Sequence, residues 1–160
     1  MDIPEPTNEE EALAAVREDG SVLENVPEKL KTPEVCLEAV KQYGFVLKYV
    51  PENLRTPEVC LEAVKEDGEA LEYVPYNLRT PEICLEAVKN WGWALAFVPE
   101  NLKTAEVCLE AVKQPNWAMQ HAPYRGGEFG FEAITQDSRL LKHVSEPLRG
   151  EVLRALKSGD

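Results

Sequence analysis

Thr32-Pro-Glu-Val-Cys-Leu-Glu-Ala-Val-Lys41 returns as Thr56-Pro-Glu-Val-Cys-Leu-Glu-Ala-Val-Lys65 and as Thr80-Pro-Glu-Ile-Cys-Leu-Glu-Ala-Val-Lys89. With alanine in place of the proline it returns once more, as Thr104-Ala-Glu-Val-Cys-Leu-Glu-Ala-Val-Lys113. The spacing is 24 residues each time. Self-similarity at a short fixed period marks a stack of like units, and it governs how every other residue is read. Between the copies run Gly44 to Leu54, Gly68 to Leu78 and Gly92 to Leu102, each carrying Leu-x-x-Val-Pro-x-x-Leu. Degenerate copies extend both ways: Asn8 to Val26 is a first unit, and Phe129 to Val144 and Glu151 to Leu156 continue the pattern after two-residue deletions.

The quoted segment predicts an α-helix. Thr32 is suited to cap its N-terminus, Pro33 to its first turn, and Glu34 to the positive end of its dipole. Gly44 stands where a left-handed residue would end the helix. Glu34, Glu38, Lys41 and Gln42 fall at i, i+4, i+7 and i+8, which is one polar stripe, and Val35, Cys36, Leu37, Ala39 and Val40 fill the remaining surface. An apolar face that broad suits a helix with neighbours on two sides.

The second segment is shorter. Val46, Leu47 and Val50 share one face, and Pro51 removes an amide donor and pushes Val50 towards extended backbone. A helix of roughly two turns ending near Val50, followed by a turn over Pro51-Glu-Asn-Leu54, is expected; a continuous helix kinked at the proline is the competing reading.

A single 24-residue unit buries too little surface to fold alone, so stability must come from stacking. The expected architecture is an all-α, α-solenoid domain over residues 1–160, made of about six tandem two-helix repeats. Its units lie near 8–31, 32–55, 56–79, 80–103, 104–125 and 126–157, the first and last acting as caps.

Composition agrees with one globular domain: 44% of residues are hydrophobic and 29% charged, which excludes a disordered chain. A net charge of −12 argues against nucleic acid or an anionic membrane as partner. Residues 1–20 hold seven acids against Arg17 alone, whereas residues 136–160 are nearly balanced, so the acid is concentrated at one end. No apolar run approaches the ~18 to 20 residues that span a bilayer, and the first residues show no basic segment followed by an apolar one. With cysteines best read as reduced, a cytoplasmic location is expected.

The unit Leu-Glu-Ala-Val-Lys-x-x-Gly-x-x-Leu-x-x-Val-Pro-x-x-Leu-[Arg/Lys]-Thr-Pro-Glu-[Val/Ile]-Cys closely resembles a bacterial repeat family catalogued as a domain of unknown function, DUF4116. The resemblance is most specific over residues 30–113. It implies helical repeats and an interaction role, and it brings no catalytic residues with it. Arg125-Gly126-Gly127-Glu128-Phe129-Gly130 departs from the pattern, replacing the cap and first turn.

Cys36, Cys60, Cys84 and Cys108 invite a metal reading, but each sits on a different repeat at the same phase. Helices stack ~8 to 10 Å apart, so the sulfurs are expected in a line, too far apart for one tetrahedral ion or for disulfides. Ala12, Gly130 and Val152 hold the same place in the outer units, which marks a small-residue core position. His121 and His143 fall on the column Asn25, Tyr49, Tyr73, Phe97, a place for a flat, partly buried ring rather than a general base. The ladder Glu38, Glu62, Glu86, Glu110 has Lys41, Lys65, Lys89 and Lys113 three residues on, the pattern of a solvated face. Gly126-Gly127-x-x-Gly130 lacks the strand, lysine and serine of a phosphate loop. No metal, cofactor or catalytic group is expected, and the protein reads as a non-enzyme.

Differences between copies are more informative. The residue after the glycine runs Ser21, Phe45, Glu69, Trp93, Trp117, Arg139, and the residue before it runs Asp19, Tyr43, Asp67, Trp91, Pro115. Positions that must pack repeat faithfully, and positions facing a partner are free to vary. Tyr43, Phe45, Trp91, Trp93 and Trp117 are therefore the candidate binding residues, offering much area at low entropic cost; alternatively they cover gaps between repeats. The leading expectation is a protein–protein interaction module whose partner carries basic surface. The alternative is an acidic inhibitor or immunity-type protein that mimics nucleic acid or blocks a basic partner, which the interleaved lysines disfavour.

Overall fold

The computed structural model describes residues 5–114 together with Arg149, Gly150, Leu153, Arg154 and Ser158. Five α-helices follow one another at the repeat spacing: α1 Glu9–Glu18, α2 Pro33–Gln42, α3 Pro57–Glu66, α4 Pro81–Asn90 and α5 Ala105–Lys113. Each of the first four is followed by a six-residue 3-10 helix (Gly20–Asn25, Gly44–Tyr49, Gly68–Tyr73, Gly92–Phe97) and then by a single 3-10 turn (Glu28–Leu30, Glu52–Leu54, Tyr76–Leu78, Glu100–Leu102). The described residues contain no strand. Four complete units and the helix of a fifth are thus described. The units expected from residue 115 onwards lie outside the described residues, apart from the five positions named.

Helix starts form as the local sequence dictates. The hydroxyls of Thr32, Thr56, Thr80 and Thr104 accept from the amides of Val35, Val59, Ile83 and Val107 at 3.3–3.4 Å. Repeat 1 uses Asn8, which accepts from the Glu11 amide at 3.0 Å, while the Glu11 carboxylate reaches back to the Thr7 amide at 2.8 Å. Prolines occupy the first turns of α2, α3 and α4, where a missing amide costs no hydrogen bond.

The second segment ends at the proline, as a break and not a kink. Val50 is extended (φ −75°, ψ 129°), its amide closes onto the Leu47 carbonyl at 3.1 Å, and the chain restarts at Pro51. Its hydrogen bonds are of the 3-10 type, because extended backbone at Tyr43 and Val50 leaves only six residues between.

Gly44 corrects another expectation. It is not left-handed: α2 ends on Tyr43 in extended conformation (φ −139°, ψ 100°), and the glycine opens the 3-10 helix. Glycine is required there by close approach. A Cβ on Gly44 would fall on the carbonyl oxygen of Ala63 in the next repeat, and Gly68 and Gly92 meet Ala87 and Ala111 in the same way.

The α-helices pack side by side in one row and the 3-10 helices in a second, each of α2, α3 and α4 touching the 3-10 helices of its own and the preceding repeat. The two rows enclose a continuous core of Leu23, Leu47, Leu71 and Leu95 from one side and, from the other, Ala12 and Val16 of α1, the Val (Ile83 in α4), Cys, Ala and Val of α2 to α4, and Val107, Cys108 and Ala111 of α5. This is an α-solenoid.

Basic side chains stitch the second row. Arg55 donates to the carbonyls of Val50 (2.9 Å) and Lys48 (3.2 Å) in its own repeat and of Tyr73 (2.8 Å) in the next. Arg79 repeats the set on Val74, Glu72 and Phe97 at 3.0, 3.2 and 2.6 Å. Lys31 makes the crossing bond alone, to Tyr49 at 3.0 Å. These carbonyls end 3-10 helices and lack amide partners of their own, and the cations satisfy them, those of Tyr49, Val50, Tyr73, Val74 and Phe97 in partly buried surroundings and those of Lys48 and Glu72 at the surface.

Candidate functional site

The turn between each α-helix and its 3-10 helix puts two variable residues on one edge of the stack. Tyr43 and Phe45 are 44% and 36% exposed, with ring centroids 6.2 Å apart and planes tilted by 58°. Lys48 places its ammonium 5.2 Å from the Phe45 ring and 4.8 Å from the Tyr49 ring, within range of cation–π attraction. In repeat 4 the same two places hold Trp91 and Trp93, both partly buried against the core. Of the five candidate residues, two are thus open to solvent and two are half covered; Trp117 lies outside the described residues.

Repeats 1 and 3 use the edge differently. Asp19 accepts from the Ser21 amide and Asp67 from the Glu69 amide, each at 2.9 Å, so both aspartates cap the 3-10 helix that follows. Hydrogen bonding from the Ser21 hydroxyl, and then from its amide, holds the Asp19 carboxyl below its ordinary range. Tyr43 and Trp91, at the equivalent places, provide no side-chain cap. The variability was legible in the sequence, but that one of its two states is a structural cap was not. The available signal was an aspartate two residues before the first free amide of the helix, twice, in Asp19-Gly20-Ser21 and Asp67-Gly68-Glu69.

The edge is continuous. Space beside Gly44 is bounded by the Asp67 Cβ, and space beside Gly68 by the Trp91 Cβ. Tyr43 and Phe45, then Asp67 and Glu69, then Trp91 and Trp93 therefore follow one another across three repeats as aromatic, acidic, aromatic. One further exposed ring escaped the sequence reading: Tyr76, 68% exposed, on the separate turn where the other repeats carry Glu28, Glu52 and Glu100, with the Arg79 guanidinium 5.8 Å from its ring.

The other constellations occupy structural places. All four cysteines are free and buried, and burial pushes each thiol up to about 11. Among the described residues, no three His, Cys, Asp or Glu side chains gather as a metal ion would need. Glu38, Glu62, Glu86 and Glu110 pair with the lysine three residues on at 2.9–3.8 Å, on the outer face. Tyr49, Tyr73 and Phe97 are the partly buried rings expected of their column. His121, His143 and the stretch Arg125 to Gly130 lie outside the described residues. No described helix is long and apolar enough to cross a membrane.

No curated protein and no solved structure matches the chain. A family model matches it four times, at residues 8–55, 33–79, 56–103 and 80–125. With the 24-residue unit, the two-row stack and these matches together, the chain belongs to the repeat family described as Domain of unknown function (DUF4116).

Proposed function

We propose that this chain is a non-catalytic binding module that engages a protein partner along the turn edge of repeats 2 to 4. The observation that carries the reading is the exchange of an aspartate cap for an aromatic residue at Tyr43 and Trp91. A cap contributes about 1 kcal/mol, and repeats 1 and 3 show that this backbone accepts one. Two repeats forgo that stabilisation and present rings instead, Tyr43 and Phe45 in the open. Acidic Asp67 and Glu69 between the aromatic pairs, and a net charge of −12, favour a partner segment with Lys or Arg flanked by apolar side chains. Four free cysteines, none paired, favour a reducing compartment such as the cytoplasm.

The test borrows the chain's own alternatives. Tyr43→Asp with Phe45→Ser installs the residues of repeat 1 in repeat 2, and Trp91→Asp with Trp93→Glu installs those of repeat 3 in repeat 4. Affinity capture from source cells is run with the native chain and both variants, after circular dichroism verifies their folding. A partner held by the native chain and lost by either variant supports the reading. A partner held equally by all three overturns it.

A further inference from the structure

A second alternation runs alongside that of the aromatics. Gln42, the last residue of α2, reaches back over repeat 1: its carbonyl oxygen accepts from the Gly20 amide at 3.0 Å, and its nitrogen donates to the carbonyls of Val16 (2.8 Å) and Arg17 (3.1 Å) at the end of α1. Asn90, the last residue of α4, treats repeat 3 alike, accepting from Gly68 at 2.8 Å and donating to Lys65 (2.8 Å) and Glu66 (3.3 Å). Each amide thus closes a helix end and the following turn of the preceding repeat in one stroke.

The odd repeats do not return the contact. Glu66 occupies the equivalent place at the end of α3, and its carboxylate makes no such bond to repeat 2. The chemistry explains the difference: a carboxylate could accept from the Gly44 amide, but it has no hydrogen to give the Val40 and Lys41 carbonyls beside it. Gln114, at the end of α5, turns its nitrogen to Glu110 within its own helix, at 3.3 Å. The junctions 1/2 and 3/4 are clamped, and the junction 2/3 is not.

We infer that the array is built from clamped pairs of repeats, 8–55 and 56–103, and that the junction between them is the hinge at which it opens. Opening between the pairs leaves each amide clamp intact and sacrifices the apolar contact, the Arg55 bond to Tyr73 and the Cys60 thiol's 3.7 Å bond to the Arg55 carbonyl. Opening inside a pair breaks three further hydrogen bonds. The aromatic edge of repeat 2 borders the hinge, because the Gly44 turn abuts Asp67 across it.

The sequence supplies a matched pair of reporters. Asn53-Leu54-Arg55-Thr56-Pro57-Glu58 and Asn77-Leu78-Arg79-Thr80-Pro81-Glu82 are identical hexapeptides at the unclamped and clamped junctions, and both arginines bind three carbonyls. Limited trypsin digestion of the full chain under native conditions, resolved by mass spectrometry, reads opening at each, since cleavage tracks the open population. Cleavage after Arg55 is expected about tenfold faster than after Arg79, the factor one clamp supplies. Glu66→Gln installs the missing clamp and should slow cleavage at Arg55 alone. Asn90→Ala should speed cleavage at Arg79 alone. Equal rates at the two arginines, or a Glu66→Gln chain that folds and is cut at Arg55 as fast as the native chain, would overturn the inference.

Discussion

The carbonyl oxygen of Ala63 stands where any side chain on Gly44 would have to be. Helix α3 therefore rests directly on the backbone of the preceding turn, and the two rows of the solenoid meet at that point. Gly44→Ala and Gly68→Ala are expected to lower stability by about 3 kcal/mol each, since neither backbone can yield without moving a whole repeat. Gly20→Ala should cost less, because its nearest neighbour, the Ala39 oxygen, is 2.8 Å from the added carbon. Urea denaturation of the three variants ranks them.

Arg55 is the longest polar reach between repeats 2 and 3, and its replacement strands three carbonyls. Arg55→Ala should destabilise by about 1.5–3 kcal/mol, the range for hydrogen bonds to a charged group, since two of its three bonds are partly buried. Arg55→Lys should recover part of that loss, because Lys31 already makes the single crossing bond to Tyr49 at 3.0 Å. Thermal melts of both variants give the comparison. Equal losses for lysine and alanine would reduce the arginine to packing.

The cysteine line makes a prediction in pH. Burial raises each thiol from 9.0 to about 11, so the folded state holds its protons more tightly than the unfolded chain. The resulting stability is whole below pH 9 and is lost as pH climbs through 11. Denaturation midpoints should therefore fall between those values in the native chain. They should fall less when cysteines are replaced by alanine, the residue that repeat 1 carries there as Ala12. In the folded protein at pH 8 the thiols should resist alkylation, and urea should release all four.

Tyr43→Asp separates stability from function. The new carboxylate meets the amide of residue 45 as Asp67 meets Glu69, and should add about 0.5–1 kcal/mol in the absence of any partner. Denaturation of the isolated variant measures this. A destabilised variant would show that the tyrosine ring packs more than it presents.

Charge should govern association with a basic partner. Glu69→Lys, at the centre of the aromatic–acidic–aromatic edge, should slow binding several-fold at low salt and leave the melting temperature nearly unchanged, since Glu69 is exposed. Raising ionic strength should shrink the difference between the two proteins. Stopped-flow association rates at two salt concentrations provide the check.

Much of this protein is local and was therefore legible. The threonine caps act over three residues, the prolines over one, and the alternation of polar and apolar residues along Thr32 to Lys41 needs only helical geometry. The period itself implied stacking, because no unit of 24 residues can bury its own apolar face. The candidate edge was legible as variation at the residues flanking Gly44 and Gly92. That the same places hold caps in repeats 1 and 3 depends on where a turn's free amides point, which composition does not convey.

The sequence by itself determined the repeat, the helix starts and the buried cysteine column, since each follows from interactions within a few residues or from strict periodicity. Tertiary structure decided what joins one unit to the next. The Gly44 approach to Ala63 spans 19 residues, and the Gln42 hold on Gly20 spans 22. Which donors meet which carbonyls over such separations depends on how far each repeat is rotated and raised on its neighbour. That offset is set by the packing of the whole core, so glycine, glutamine and arginine acquire their meaning only once the stack has closed.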